Sequence, residues 1–154
     1  MNFQASLATG KIGEAYIARW LRRRGWHVLP VYEKEVNEYK GPVLYQAIGS
    51  PLVAPDMLIF KMDGAATAIQ WVEAKTKSAF TEHRKTRPWN TGIDLRHYEE
   101  YQRVALISSW PVWLLFLHQG GQAKDSPAGS PTGLFGGELK YLAQHEHHRH
   151  GNWG

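Results

Sequence analysis

The run Trp71-Val72-Glu73-Ala74-Lys75-Thr76-Lys77 decides how this chain is read. It reads as the end of a β-strand. Side chains alternate across a strand, so Glu73 and Lys75, two residues apart, share a face. A carboxylate and an ammonium on one face near a strand end can hold a divalent cation and polarise a bound water or phosphate. A second acid is needed to share the cation. Asp56, in Ala54-Pro55-Asp56-Met57-Leu58-Ile59-Phe60, lies one strand upstream.

Met57 to Met62 is a strand, Asp63-Gly64 is a strong hairpin-turn signal, and Thr67 to Lys75 is the return strand. Counting back from the turn places Asp56 opposite Glu73 near the open end. Cross-strand neighbours lie about 4.5–5.5 Å apart at Cβ, so the two carboxylates can share one cation. Brought together without a cation they would repel, and a divalent metal removes that cost. The pattern points to a metal-dependent phosphodiesterase, with a nuclease as the leading case. Trp71 shares the face of Glu73 and Lys75 if the strand is regular. It then packs beneath the site as a wall, or the strand bends near Glu73.

Upstream, Leu7 to Arg24 has the spacing of a helix, with an apolar stripe of Ile12, Ala15, Tyr16, Trp20 and Leu21. Gly25 after three arginines is a C-terminal stop. Gly13 inside the helix costs stability, and close packing against a sheet is a reason to keep it. Glu14 has two readings: a helix-start acid complementing the dipole, or a carboxylate aimed at the metal site. Trp26 to Tyr32 reads as a strand, which Pro30 assigns to an edge or a bulge. Glu33 to Lys40 reads as a loop. Pro42 to Pro51 is either a wall over the site or a long connection.

Downstream, Ser78 to Thr91 is a polar, basic loop carrying Phe80, His83 and Trp89, a composition suited to contacts with nucleic acid or to a plain surface loop. Asp94 is the expected N-cap of a helix over 95–108, with Ile93 and Tyr98 as a hydrophobic staple. Leu95, Tyr98, Gln102 and Ala105 fall on one face. Gln102 there needs a hydrogen-bond partner, either at the active site or at an exposed stripe edge. Pro111 to His118 is nearly all apolar, hence a strand buried on both faces, central or parallel. Gln119 to Gly133 reads as loop and Glu138 to His145 as a short helix. The tail carries His145, His147, His148 and His150. Histidine clustering can bind metal, but the irregular spacing favours a polar tail.

Composition bounds the rest. One compact domain accommodates 154 residues, 43% apolar and 21% charged. The absence of cysteine excludes disulfides, a thiolate nucleophile and a cysteine zinc site. The opening residues lack signal-peptide character and no apolar run is long enough to span a bilayer, so the expectation is a cytoplasmic protein with no membrane partner. A net charge of +4 is a mild basic excess. Its distribution says more: Lys11, Arg19, Arg22, Arg23 and Arg24 crowd the first helix, and Lys75, Lys77, Arg84, Lys85 and Arg87 follow the central strand. Each cluster alone also reads as solvated surface.

Glu14, Pro55-Asp56 and Glu73-Ala74-Lys75, in that order on helix, hairpin and strand, resemble the PD-(D/E)XK nuclease superfamily. Gly10-Lys11-Ile12-Gly13-Glu14 through Arg24-Gly25-Trp26 resembles the first helix of Holliday junction resolvases and Mrr-like nucleases. The resemblance covers roughly residues 7–118, so residues 1–118 are the expected nuclease core. Residues 119–154 are expected to be a Gly/Ser/Pro-rich connection, a short helix and a His-rich tail. It implies an α/β restriction-endonuclease-like core of αβββαβ order, a mixed central sheet flanked by helices. It also implies a Mg²⁺- or Mn²⁺-dependent deoxyribonuclease that hydrolyses DNA phosphodiester bonds as an endonuclease, with junction-resolvase-like structure selectivity and a homodimer as further expectations. Asp56, Glu73 and the Ala74 carbonyl would ligate the metal, with Glu14 completing the acidic cluster directly or through water. Lys75 would orient or activate the attacking water and offset charge on the phosphorane. Gln102 matches a position where several members carry a polar residue facing the site. Lys11, Arg19, Arg22, Arg23, Lys77, Arg84, Lys85 and Arg87 would contact DNA. The implied chemistry is in-line attack of water on a phosphodiester, the cation lowering the pKa of that water. The rival class is a catalytically inactive nucleic-acid-binding or interaction domain of the same fold.

Overall fold

The computed structural model describes residues 3–31, 42–82, 89–123 and 126–146, with side chains from residue 8 onward. The elements in order are helix α1 (Phe3–Arg22), strands β1 (His27–Pro30), β2 (Val43–Leu44), β3 (Leu52–Val53), β4 (Met57–Asp63), β5 (Ala66–Lys77), β6 (Thr81–Glu82) and β7 (Trp89–Asn90), helix α2 (Leu95–Ser108), strands β8 (Val112–His118) and β9 (Gly133–Glu138), and a short helix α3 (Leu139–Leu142). A 3₁₀ turn over Ala143–His145 follows.

The centre is a five-stranded mixed sheet of order β1-β4-β5-β8-β9. Only β5 and β8 run parallel; the other neighbours are antiparallel. The apolar run 111–118 is thus an interior strand next to a parallel partner, as its composition predicts. Pro30 lies on the edge strand β1, where its missing N–H does least harm.

Two cores flank the sheet. On one face Ile17 and Leu21 of α1 meet Met57, Ile59, Val72, Ala74 and Leu115. On the other, Tyr101 and Val104 of α2 and Leu139 of α3 meet Leu52, Val53, Trp71, Val112, Leu114 and Phe116. Alternation along β5 divides its residues: Val72 and Ala74 serve the α1 face, Trp71 and Glu73 the α2 face.

The buried face of α1 differs from the expected stripe. Ile12 is 71% exposed and Tyr16 50%, while Gly13, Ile17 and Leu21 face inward. The cause is Gly13. A Cβ built there would fall 1.7 Å from Thr76 Oγ1, so the bare glycine is where α1 presses on β5. This is the close packing against a sheet that the sequence offered as the reason for Gly13, and the inward line runs i, i+4, i+8 through Gly13, Ile17 and Leu21.

Two small ribbons decorate the sheet. β2 pairs with β3 and β6 with β7, both antiparallel. The segment Pro42–Pro51 is therefore largely the connection of a ribbon that leans on α2, where the Val53 N–H donates to Glu100 Oε2 at 2.5 Å. Asp94 caps α2, accepting from the Arg96 N–H at 2.9 Å. The sheet does not stop at residue 118: β9 adds an edge strand from within the stretch expected to be connection and tail.

Candidate active site

The β4–β5 hairpin sets the site by its register. Gly64 takes a φ of 62° and the next residue does not turn positive, the pattern of a tight turn with glycine first. Pairing then runs from Asp63↔Ala66 down to Met57↔Val72, and one further step sets Asp56 against Glu73. The two acids interlock. The Asp56 N–H donates to Glu73 Oε2 at 3.3 Å, and the Ala74 N–H donates to Asp56 Oδ2 at 2.9 Å. Lys75 Nζ meets Glu73 Oε1 at 2.5 Å. Trp71 lies on the same face and packs beneath as a wall. It is buried, and its indole N–H donates to Ser108 Oγ at 3.0 Å.

Electrostatics separates the roles of the three groups. Asp56 is half-buried, and its carboxyl is pushed up to about 8 by that burial, by Glu73 and, more weakly, by Glu14. The Ala74 N–H and Lys75 oppose the rise. Burial would lower the pKa of Lys75, but Glu73, Asp56 and Glu14 outweigh it and the net shift is upward. Lys75 is therefore an ammonium throughout the neutral range. Glu14 reaches this cluster from α1, since it is felt by both Asp56 and Lys75. Its position follows from Gly13, which brings that turn of helix down on Thr76.

Helix α2 supplies a residue that the sequence reading passed over. Tyr101, 1% exposed, lies in the core with Trp71, and its hydroxyl pKa is raised by burial and by the Glu73 carboxylate. Gln102 is exposed and lines an open groove of about 490 Å³ with Trp110 and Glu138. The inward face of α2 is Tyr101, Val104 and Ser108, an i, i+3, i+7 line turned by about one residue, or 100°, from the face expected. A tyrosine three residues before a valine on a capped helix was the available signal.

Of the residues assigned to nucleic acid, Lys11, Arg19 and Arg22 are exposed along α1 and Arg23 is exposed in the turn that follows it. Arg22 is eight residues from Glu14, about 12 Å along the helix axis. The end of α1 lies away from Asp56, because β1 enters the sheet at His27↔Phe60 and leaves at Pro30↔Met57. Lys77 is half-buried beyond Lys75, its pKa lowered by burial and by that lysine. Arg84, Lys85 and Arg87 lie outside the described residues, as do His83, His147, His148 and His150. At the same strand ends, His118 is buried with Phe80 stacked on it at 3.6 Å and 8° and Phe135 edge-on. Among the described residues its ring nitrogens have no hydrogen-bond partner, and burial followed by Lys77 lowers its pKa.

Two adjoining carboxylates, one of them burdened by burial and by its neighbours, are a donor set suited to a hard divalent cation. Among the described residues no group of three or more His, Cys, Asp or Glu side chains is arranged around a common point. Mg²⁺ is commonly held by only one or two carboxylates with water completing its shell, so the set fits that ion better than a dedicated all-protein cage. Comparison with protein-family models, with curated proteins and with solved structures finds no match.

Proposed function

We propose that this chain is a Mg²⁺-dependent deoxyribonuclease with a restriction-endonuclease-like core. The observation that carries the reading is the interlock of Asp56, Glu73 and Lys75 across adjacent strands, with Glu14 acting on it from the opposing helix. The helix–sheet–helix layering and the mixed sheet support the core assignment.

In this reading Asp56, Glu73 and the Ala74 carbonyl hold the cation, with Glu14 placed to act through water. The cation, when bound, lowers the pKa of an attacking water and neutralises charge at the phosphate. Asp56 surrenders its proton on loading, since a ligating carboxylate must be ionised. Lys75 serves as a fixed cationic donor to a phosphate oxygen or to the attacking water. Its raised pKa favours that role over acting as a base. Trp71 excludes water from beneath the carboxylates. The exposed arginines of α1 offer phosphate contacts about 12 Å from Glu14 along the helix, a span of several nucleotides of backbone.

Supercoiled plasmid incubated with the chain and Mg²⁺ is expected to be nicked, and EDTA to stop it. Asp56→Ala and Glu73→Ala are expected to abolish cleavage while duplex DNA still binds in a mobility-shift assay. Full cleavage by either variant refutes the assignment. Binding without cleavage by the wild-type chain supports the inactive nucleic-acid-binding domain instead.

A further inference from the structure

His118 ends the interior strand β8 and is 2% exposed. Phe80 lies flat on its ring, with centroids 3.6 Å apart and planes 8° from parallel, and Phe135 meets both rings edge-on. Neither ring nitrogen has a hydrogen-bond partner among the described residues. A phenyl ring would fill this aromatic box without two desolvated nitrogens, so the imidazole weakens the packing it takes part in. What that packing holds is the start of the β6–β7 ribbon. The Phe80 N–H donates to Ser130 Oγ at 2.9 Å and the Glu82 N–H to Ser126 Oγ at 3.0 Å, and both serines are buried. Glu82 pairs with Trp89, so β7 follows β6. Phe80 is three residues past Lys77, and His118 is the register partner of Lys77 in the parallel β5–β8 pair. The docked ribbon therefore sits beside the strand ends that carry Lys75 and Lys77.

We propose that the Phe80–His118 stack is a pH-sensitive latch, which docks the β6–β7 ribbon beside the candidate site while His118 is neutral and releases it when the ring is protonated. Lys77, on the neighbouring strand about 4.7–4.9 Å away, is the charged group that shares the sheet face of His118. Strand β8, the start of β9 and the described residues of the 119–132 loop bring no charge. The Glu82 carboxylate of the ribbon makes no bond to the ring. An imidazolium in the box would be an unpaired buried cation beside an ammonium. Its attraction to the Phe80 face is smaller than the cost of desolvating it. Release lets solvent reach the ring, which then protonates near the ordinary histidine value of about 6.5. Burial and Lys77 hold the docked ring below that value, so docking is fully favoured above it and is lost as pH falls through it. The latch stands whether or not the site cuts DNA.

The test is hydrogen exchange at the Phe80 and Glu82 amides of the full chain from pH 8 to pH 5, each rate divided by that of a free amide at the same pH. Protection in the wild type is expected to be level above about pH 7 and to fall by up to about tenfold per pH unit below about 6.5. His118→Phe keeps the stack and takes up no proton, so its protection is expected to stay level to pH 5. Phe80→Ala removes the latch, and both amides are expected to lose most of their protection at every pH while those of β4 keep theirs. Absent or level protection across the range in the wild type overturns the proposal. The same acid loss in His118→Phe also overturns it, because the titrating group then lies elsewhere. Full protection in Phe80→Ala would show that the two serines hold the ribbon unaided, and the latch fails.

Discussion

Asp56 shows what the site costs the fold. An acid whose folded pKa sits near 8, against 3.8 for the free side chain, holds its proton more tightly in the folded chain than in the unfolded one. Stability must therefore fall as pH rises between those values, because the unfolded chain releases the proton first. The penalty is absent below pH 4 and grows toward pH 8 at about 1.4 kcal/mol per pH unit. Asp56→Asn should raise the melting temperature in EDTA at pH 8, and in a separate assay it should end the cleavage seen with Mg²⁺. The amide oxygen can still accept the Ala74 N–H. An unchanged or lower melting temperature at pH 8 would show that the carboxyl is not destabilising. The pair Asp56 and Glu73 was legible because it depends only on alternation and on counting from a turn. Tyr101 was not legible in that way. Its place in the core depends on the rotation of α2 about its axis, and Leu95, Tyr98 and Ala105 gave an equally apolar face one residue away, of which Tyr98 and Ala105 also pack on that core.

At the scale of elements, α1 and β9 make the same point through glycine. Gly13 removes a side chain where helix meets strand, and Gly136 does so where strand meets strand. A Cβ on Gly136 would fall 2.1 Å from the Leu114 carbonyl oxygen. Pattern reading looks for side chains that recur, and here the contact is made by their absence. That is why β9, with three glycines in six residues, read as a connection. Gly13→Ala separates propensity from packing. Alanine should gain about 1 kcal/mol of helix propensity. Crowding Thr76 should cost about 1–3 kcal/mol, because the built Cβ also lies 3.0 Å from the threonine Cβ, which side-chain rotation does not move. A net loss is expected in urea unfolding, with cleavage reduced as Glu14 is lifted from the acids. Thr76→Ala in the same chain should restore most of both. A more stable Gly13→Ala chain would mean that α1 does not press on β5.

For the whole molecule, charge is segregated along α1. The acids gather near Gly13, while Arg19, Arg22, Arg23 and Arg24 continue toward the far end, where Arg24 lies over the Trp20 ring at 3.7 Å. If this ridge tracks a phosphate backbone, Arg23→Ala should weaken binding to all duplexes alike. It should also shrink the slope of log affinity against log salt by about 0.9. Equal slopes in the two proteins would assign the ridge to solvation. Sequence showed the cluster, but where it sits relative to the acids is a matter of how helix and sheet cross. Among the described residues no helix is long and apolar enough to cross a membrane.

The hairpin register has a further consequence. Paired residue numbers in β4 and β5 always sum to the same total, so Asp56 meets Glu73 by arithmetic. The site is thus protected by chain length more than by the identity of the intervening residues, and it should be blind to one kind of insertion and fatally sensitive to another. An alanine added after Gly64 lengthens the turn and leaves the pairing intact, so nicking should survive. The same alanine added after Phe60 slides Asp56 one place along and turns it to the opposite face. Nicking should then be lost although charge and every site residue are unchanged.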